Sequence, residues 1–458
     1  MLNEKALRWS INIAAFVVLM DLSAVNVALP EMRSYFQLSV SIISLVLMLS
    51  MLTATSSALF MGKISQMVSP QKMLILAFSA FGITTFLSGL IRDFTVLLIF
   101  RFFQGFAEAA LYIIGPALIK RYISPEKQAT AYGQWMMSTG IGISIGPLVG
   151  GYLVSLYSWP VVFFINILPV LVGLWFSFRI DIQIFISNKE KFDFYGAILS
   201  FAFLACLIAG INLGKHIGWN SAQFFFIASL LFFLAFLYRE NKFAFPVLAL
   251  KLFRFRNFWL ASLGFLIFFV VNVGSRFLQP FYFEEGRGFD TEYSGVLLAI
   301  SPAIMALISP FTAFLQQRFG TKTLVVLGNL FLFASVLMFS FWDSESSFSH
   351  LIISMIVLGA GMGFFYSAAT TIGMQSLPIN NFGMGSSVIA SSKSMGKLIG
   401  VLLFALLFSS FFQNMHADVD IALEAKTIFA IQKVFVFATI ISFFSLLLSF
   451  FFKTENRK

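Results

Sequence analysis

The sequence predicts an all-α polytopic membrane protein with fourteen transmembrane helices, on three observations. Of its 458 residues, 59% are hydrophobic and 11% charged, against about 45–50% and about 25% in soluble domains. Apolar segments recur along the whole chain at about the 20-residue length that a bilayer-spanning helix needs. Lys and Arg fall between those segments and favour one side of the implied membrane, as topology requires. This composition excludes a soluble globular domain, a disordered chain and a disulfide scaffold. The net charge of +10 would suggest nucleic acid in a soluble protein. Here the placement of the charges between spans explains it, and no nucleic-acid partner is expected.

The first span, 10–30, follows Lys5 and Arg8 and so mimics the start of a signal peptide. The apolar stretch runs on to about Leu29 without a small-x-small cleavage site, and it is read as a retained helix. The others lie near 40–62, 73–91, 95–119, 131–156, 161–179, 194–214, 222–239, 257–281, 293–316, 323–341, 350–374, 385–413 and 430–452. The longest connections, 180–193 and 240–256, flank the seventh and eighth spans. With the N-terminus in the cytoplasm, twenty Lys and Arg fall on the cytoplasmic side, among them Lys120, Arg121, Lys189, Lys191, Arg254 and Arg256. Six fall opposite and four lie inside spans. The even count then places both termini in the cytoplasm of a multi-pass inner-membrane protein. Cys206 is alone, and His216, His350 and His416 are far apart in sequence, so neither a disulfide, a metal site nor a cofactor is expected. Gly210–Lys215 falls short of a phosphate-binding loop by one residue and lacks the following Ser or Thr. Any uphill work must therefore draw on an ion gradient.

Taken in chain order, short motifs mark several spans. The first contains Leu19-Met20-Asp21-Leu22-Ser23-Ala24-Val25-Asn26-Val27-Ala28-Leu29-Pro30. The fourth contains Arg101-Phe102-Phe103-Gln104-Gly105, then Ala109-Ala110. The fifth carries Gly133, Gly142, Gly146-Pro147 and Gly150-Gly151. From Gly142 to Gly150 the glycines are four apart and share one face, which in lipid lets another helix approach closely. Trp159-Pro160 and Phe163-Phe164-Ile165-Asn166 with Pro169 follow, and Leu278-Gln279, Gly295 and Pro302 mark the second half. Together these resemble the fourteen-helix drug:proton antiporter branch of the major facilitator superfamily. The glycine run resembles its antiporter motif at every position.

The resemblance implies two six-helix bundles, 1–180 and 257–458, with two extra helices in 181–256. Substrate would bind near the midplane between the bundles. It implies lipid bilayer, a small amphipathic substrate and protons as partners, and leaves room for a periplasmic adaptor protein. One signature departs from the family pattern. The gating loop after the second span keeps Gly62 and Lys72 but has Gln66 where the acid belongs. Its pseudo-repeat, Ala313 to Lys322, has Gln317 in that slot. The loss bears on gating and on antiport itself.

An ionisable group inside a span is costly and points to function by default. Six occur: Asp21, Arg101, Glu108, Arg276, Lys393 and Lys397. Asp21 and Glu108 are the candidates for proton coupling. Asp21, Asn26, Arg101, Gln104, Arg276, Gln279 and Lys393 are the candidates for a substrate cavity. Each has a structural alternative. Asp21 would serve equally as an untitrated helix–helix hydrogen bond, Arg101 as a partner of Glu108 or a snorkelling cation, and Lys393 and Arg276 as snorkelling cations near helix ends. Four cations against two acids favour anionic, zwitterionic or neutral amphiphiles. Trp135, Met136 and Met137 are candidates for an adaptable lining.

These readings point to a proton-coupled secondary transporter that exports amphipathic small molecules across the inner membrane, of the multidrug efflux type. Two alternatives stay open: a dedicated exporter of an endogenous metabolite such as a siderophore or lipid-like compound, and a non-transporting receptor on the same fold. An enzyme is not expected. The nearest candidate, His416-Ala417-Asp418, has no partner motif.

Overall fold

A computed structural model describes residues 4–180, 194–217, 219–242, 250–378, 382–414 and 422–453. Described residues are helical nearly throughout and contain no strand. In chain order the helices are α1 (Glu4–Phe36), α2 (Val40–Ile43), α3 (Leu45–Met67), α4 (Pro70–Leu90), α5 (Phe94–Tyr122), α6 (Pro125–Tyr157), α7 (Val161–Phe164), α8 (Ile167–Phe178), α9 (Phe194–Ile217), α10 (Trp219–Lys242), α11 (Arg256–Phe281), α12 (Thr291–Ile308), α13 (Thr312–Phe319), α14 (Thr321–Ser340), α15 (Phe348–Gln375), α16 (Phe382–Asn414) and α17 (Leu423–Phe450). Among the described residues, thirteen helical stretches are long and apolar enough to cross a bilayer, and α9 adds a shorter apolar stretch, Ile198–Gly210. The expected spans are thus present. Some are made of two pieces: α2 with α3, α7 with α8, and α12 with α13.

The connections are short because polar residues stop and restart the chain locally. Ser69 caps α4 by accepting from the Lys72 amide, with Pro70 at the first helical position. Asp93 caps α5 through Val96 N at 2.9 Å. Gly320 joins α13 to α14 at φ +87°, where an L side chain would be strained. Five helices carry an internal Pro, at 30, 116, 147, 280 and 302, a frequency ordinary for spans in lipid. The connections on either side of the seventh and eighth spans, 181–193 and 243–249, lie outside the described residues.

The chain forms two compact units. The first comprises 1–25, 45–146 and 156–247. In it α5 lies between α3 and α4, α8 packs on α4, and α9 packs on α3 and α10. Its core joins residues of α1, α4, α5 and α6, including Leu7, Ala14, Phe78, Phe81, Leu111 and Trp135. The second comprises 26–44, 147–155 and 248–458. There α11 packs on α16, α15 and α17, and α14 on α15 and α17. Outward faces are apolar: Leu76, Ile83, Leu231, Leu307, Phe444 and Phe451 are all exposed. Only 17% of the apolar stretch of α10 is buried. That surface is stable against lipid and not against water.

Candidate functional site

Each unit holds a group of polar side chains inside its helices. In the first unit the group is built on α5. Gly105 makes it possible, because a Cβ there would collide with the Ser50 carbonyl and Thr53 of α3. The bare backbone brings α5 onto α3 and places Arg101 within reach of it. Arg101 Nε donates to the Val46 carbonyl at 2.9 Å, and one terminal nitrogen donates to Ser50 Oγ at 2.8 Å. The other terminal nitrogen donates to Asp21 Oδ2 at 2.8 Å and to Gln104 Oε1 at 2.9 Å. Asn166, at the junction of α7 and α8, donates to Asp21 Oδ1 at 2.9 Å. Asp21, Ser50, Arg101, Gln104 and Asn166 are all fully buried. A buried ion pair persists only when further hydrogen bonds satisfy both ions, and both are satisfied here.

This geometry settles the open alternatives for Arg101. It pairs with Asp21, not with Glu108, and it does not snorkel. Glu108 lies two turns along α5, about 10 Å by helical rise. It is 5% exposed, and its Oε1 has no hydrogen-bond partner. Asn166 and Ser50 complete the site. Asn166 was visible in a family-like run, but nothing in the sequence says that its amide reaches across to α1. Ser50 gave no signal, since a small polar residue in an apolar helix is common.

The glycines of α6 pack at two places. A Cβ on Gly142 would strike the Phe16 carbonyl, and one on Gly146 would strike Ser23 and the Met20 carbonyl, at 2.7 Å for the latter. Gly151 meets the Thr291 carbonyl and Gly295 on α12 in the same way, and Gly295 meets the Pro147 carbonyl. Gly150 is buried. Gly133 has open space around it, so close approach does not explain that position. Trp135 packs into the core, whereas Met136 and Met137 are exposed. Gly62 and Gln66 fall in the last turns of α3 rather than in a loop, since α3 runs to Met67. The Gln66 side chain is outside the described residues, and Lys72 is exposed.

In the second unit the group lies on α11 and α16. Phe265, Phe269, Asn272, Arg276 and Gln279 are spaced four, three, four and three apart, which is one helix stripe. Gly396 and Gly400 of α16 press on the α11 backbone at Leu266 and Val270. This sets Lys393 Nζ 4.3 Å above the Phe265 ring and Lys397 Nζ 5.6 Å from the Phe269 ring. Arg276, Lys393 and Lys397 are half-buried. Asn26 Nδ2 donates to the Arg276 carbonyl at 3.0 Å. Arg33 forms an ion pair with Glu285, beside the π-turn Tyr282–Gly286.

Membrane-length helices that enclose a buried ion pair in one unit and a group of half-buried cations in the other define a polytopic membrane protein with charge held inside its spans. The comparisons with known proteins agree. The family model for the Major Facilitator Superfamily matches residues 11–191 and 261–458, and the chain belongs to that superfamily. It is similar to the riboflavin transporter RibZ of Clostridioides difficile, at 26% identity over 85% of this chain and 84% of that one. It is also similar to the multidrug resistance protein Stp of Mycobacterium tuberculosis, at 24% identity over 84% and 72%. The probable multidrug resistance protein EmrY of Escherichia coli is 23% identical over 85% and 77%. Among solved structures, a POT family transporter in complex with 5-aminolevulinic acid shares the fold with a TM-score of 0.69, at 12% identity over 97% of this chain and 96% of that one.

Proposed function

We propose that this chain exports amphipathic small molecules across the cytoplasmic membrane in exchange for protons, with both termini in the cytoplasm. The observation that carries the reading is the Asp21–Arg101 pair, roughly midway along α1 and fully buried. Protonating Asp21 removes the charge that holds Arg101 and frees the Asn166 amide. One proton can therefore rearrange contacts among α1, α3, α5 and the α7–α8 junction. Glu108 supplies a second acid on the same helix face. Segments 1–180 and 257–458 act as the two bundles, with α9 and α10 as an insertion. The gap between the two family-matched stretches, 192–260, supports that division. The likeness to multidrug resistance proteins supports a broad amphipathic substrate range.

A second reading is a transporter dedicated to one metabolite. The match to a riboflavin transporter along most of both chains favours it. Purified protein in proteoliposomes with an acidic lumen, so that protons leave as substrate enters, tests the proposal against both alternatives. Accumulation of several chemically unrelated amphiphiles, collapsed by a protonophore, is the expected result. Transport of riboflavin alone would select the second reading. Absence of gradient-driven flux for every compound would leave a receptor.

A further inference from the structure

Among the described residues, the three cations of α11 and α16 have no counter-charge: no carboxylate pairs with Arg276, Lys393 or Lys397. The first acids after Arg276 in the chain, Glu284 and Glu285, follow it by eight and nine residues and lie in the π-turn beyond α11. Glu285 is committed to Arg33, and Glu284 accepts from Thr291 at 3.1 Å. The Phe265 and Phe269 rings offer the ammonium groups a cation–π contact, which leaves the charge in place.

The neutral groups on the stripe are unmatched in the same sense. The Asn272 and Gln279 side chains are each 1% exposed, and each has an amide nitrogen with no acceptor. Ser275 Oγ, fully buried beside them, also has no partner. A buried polar group without a partner is left with its desolvation penalty uncompensated. The set is weighted toward donors: three cations and two unpaired amide nitrogens, with no carboxylate partner among the described residues. A cationic ligand would worsen every one of these deficits. A neutral hydrocarbon would leave them standing.

From this we infer that the α11–α16 stripe is a binding site for the anionic head of an amphiphile, a carboxylate, sulfonate or phosphate, held by Lys393, Lys397 and Arg276 with Asn272 and Gln279 as flanking donors. The inference rests on the transport reading and adds the charge class of the substrate. Phe265 and Phe269 place an apolar wall beside the cations, so that the ligand's apolar body has a surface to lie on.

The full-length protein in phosphatidylcholine nanodiscs allows the test. Two fluorescent compounds share one ring system: 1-anilinonaphthalene-8-sulfonate is anionic, and N-phenyl-1-naphthylamine is uncharged. Binding is measured against empty nanodiscs. Lys393→Gln and Lys397→Gln should each weaken the sulfonate about tenfold, the range of one charge-assisted contact, and change the uncharged compound less than twofold. Lys393→Arg should keep most of the sulfonate affinity. Equal weakening of both compounds, or none, overturns the inference. Competition on the unaltered protein is independent of any variant: decanoate should displace the sulfonate at lower concentration than decanol, and equal potency overturns the inference. Nanodiscs with added phosphatidylglycerol separate a substrate site from a lipid site. Sulfonate binding that disappears in proportion to that lipid would assign the cluster to headgroups and end the substrate reading. Charge-selective binding without gradient-driven flux would sink the transport proposal and leave the site. Flux with no charge selectivity would do the reverse.

Discussion

Arg101 donates to four groups on three helices, and no other side chain has its fork of donors. Lys could keep the charge but not those contacts. Arg101→Lys should therefore lower the thermal unfolding midpoint of the detergent-solubilised protein nearly as far as Arg101→Ala, the two costing about 3–5 kcal/mol as expected for breaking a buried pair. The double variant Asp21→Asn with Arg101→Gln should cost clearly less than the sum of the two single changes. Additive losses would mean that the pair is not one unit. Glu108→Gln tests a different role, since Glu108 Oε1 bonds to nothing. It should leave the unfolding midpoint within a few degrees and reduce gradient-driven flux. The acids and cations were legible in the sequence because an ionisable residue in an apolar span stands out at once. Their partners were not. Helical spacing grouped Arg101, Gln104 and Glu108 correctly, but whether Arg101 turns to Glu108 or to Asp21 is decided by a neighbouring helix that no spacing rule reports.

At the scale of elements, α6 shows how one motif can serve two contacts. Gly142 and Gly146 admit the α1 backbone, and Gly151 with the Pro147 carbonyl meets Gly295 of α12. The sequence displayed the run and its shared face, so close packing could be read from it. The division of that face between two partners could not, because the glycine pattern is the same along the run. Gly146→Leu should permit insertion and abolish transport, since its side chain must displace Ser23 and the Met20 carbonyl. Gly133→Leu, with open space around it, should transport normally. Flux from both variants at equal expression would show that the close approach of α1 and α6 is dispensable. Span boundaries followed the same logic. Apolar length found the membrane-length stretches but not the breaks that set off α2, α7 and α13, while the extra turns of α3 through Gly62 and Gln66 are polar enough to read as a loop, and only continued backbone hydrogen bonding identifies them as helix.

For the whole molecule, the fourteen spans expected from the sequence and the bias of Lys and Arg support the proposal that both termini lie on one side. Ser187→Cys and Ser344→Cys, each on a Cys206→Ser background, should label from opposite sides with an impermeant maleimide. Labelling of both from one side would overturn that topology. The central claim joins topology to chemistry: a proton binding at Asp21, in the middle of the membrane, is exchanged for a substrate leaving the cell. Asp21→Asn keeps the shape of the side chain and removes its titration. In proteoliposomes it should fail to concentrate substrate when a pH gradient is imposed, while substrate–substrate exchange, which moves no net proton, continues. If Asp21→Asn still accumulates substrate against its gradient at the rate of the unaltered protein, Asp21 is not the coupling acid and the account built on its pair with Arg101 is wrong.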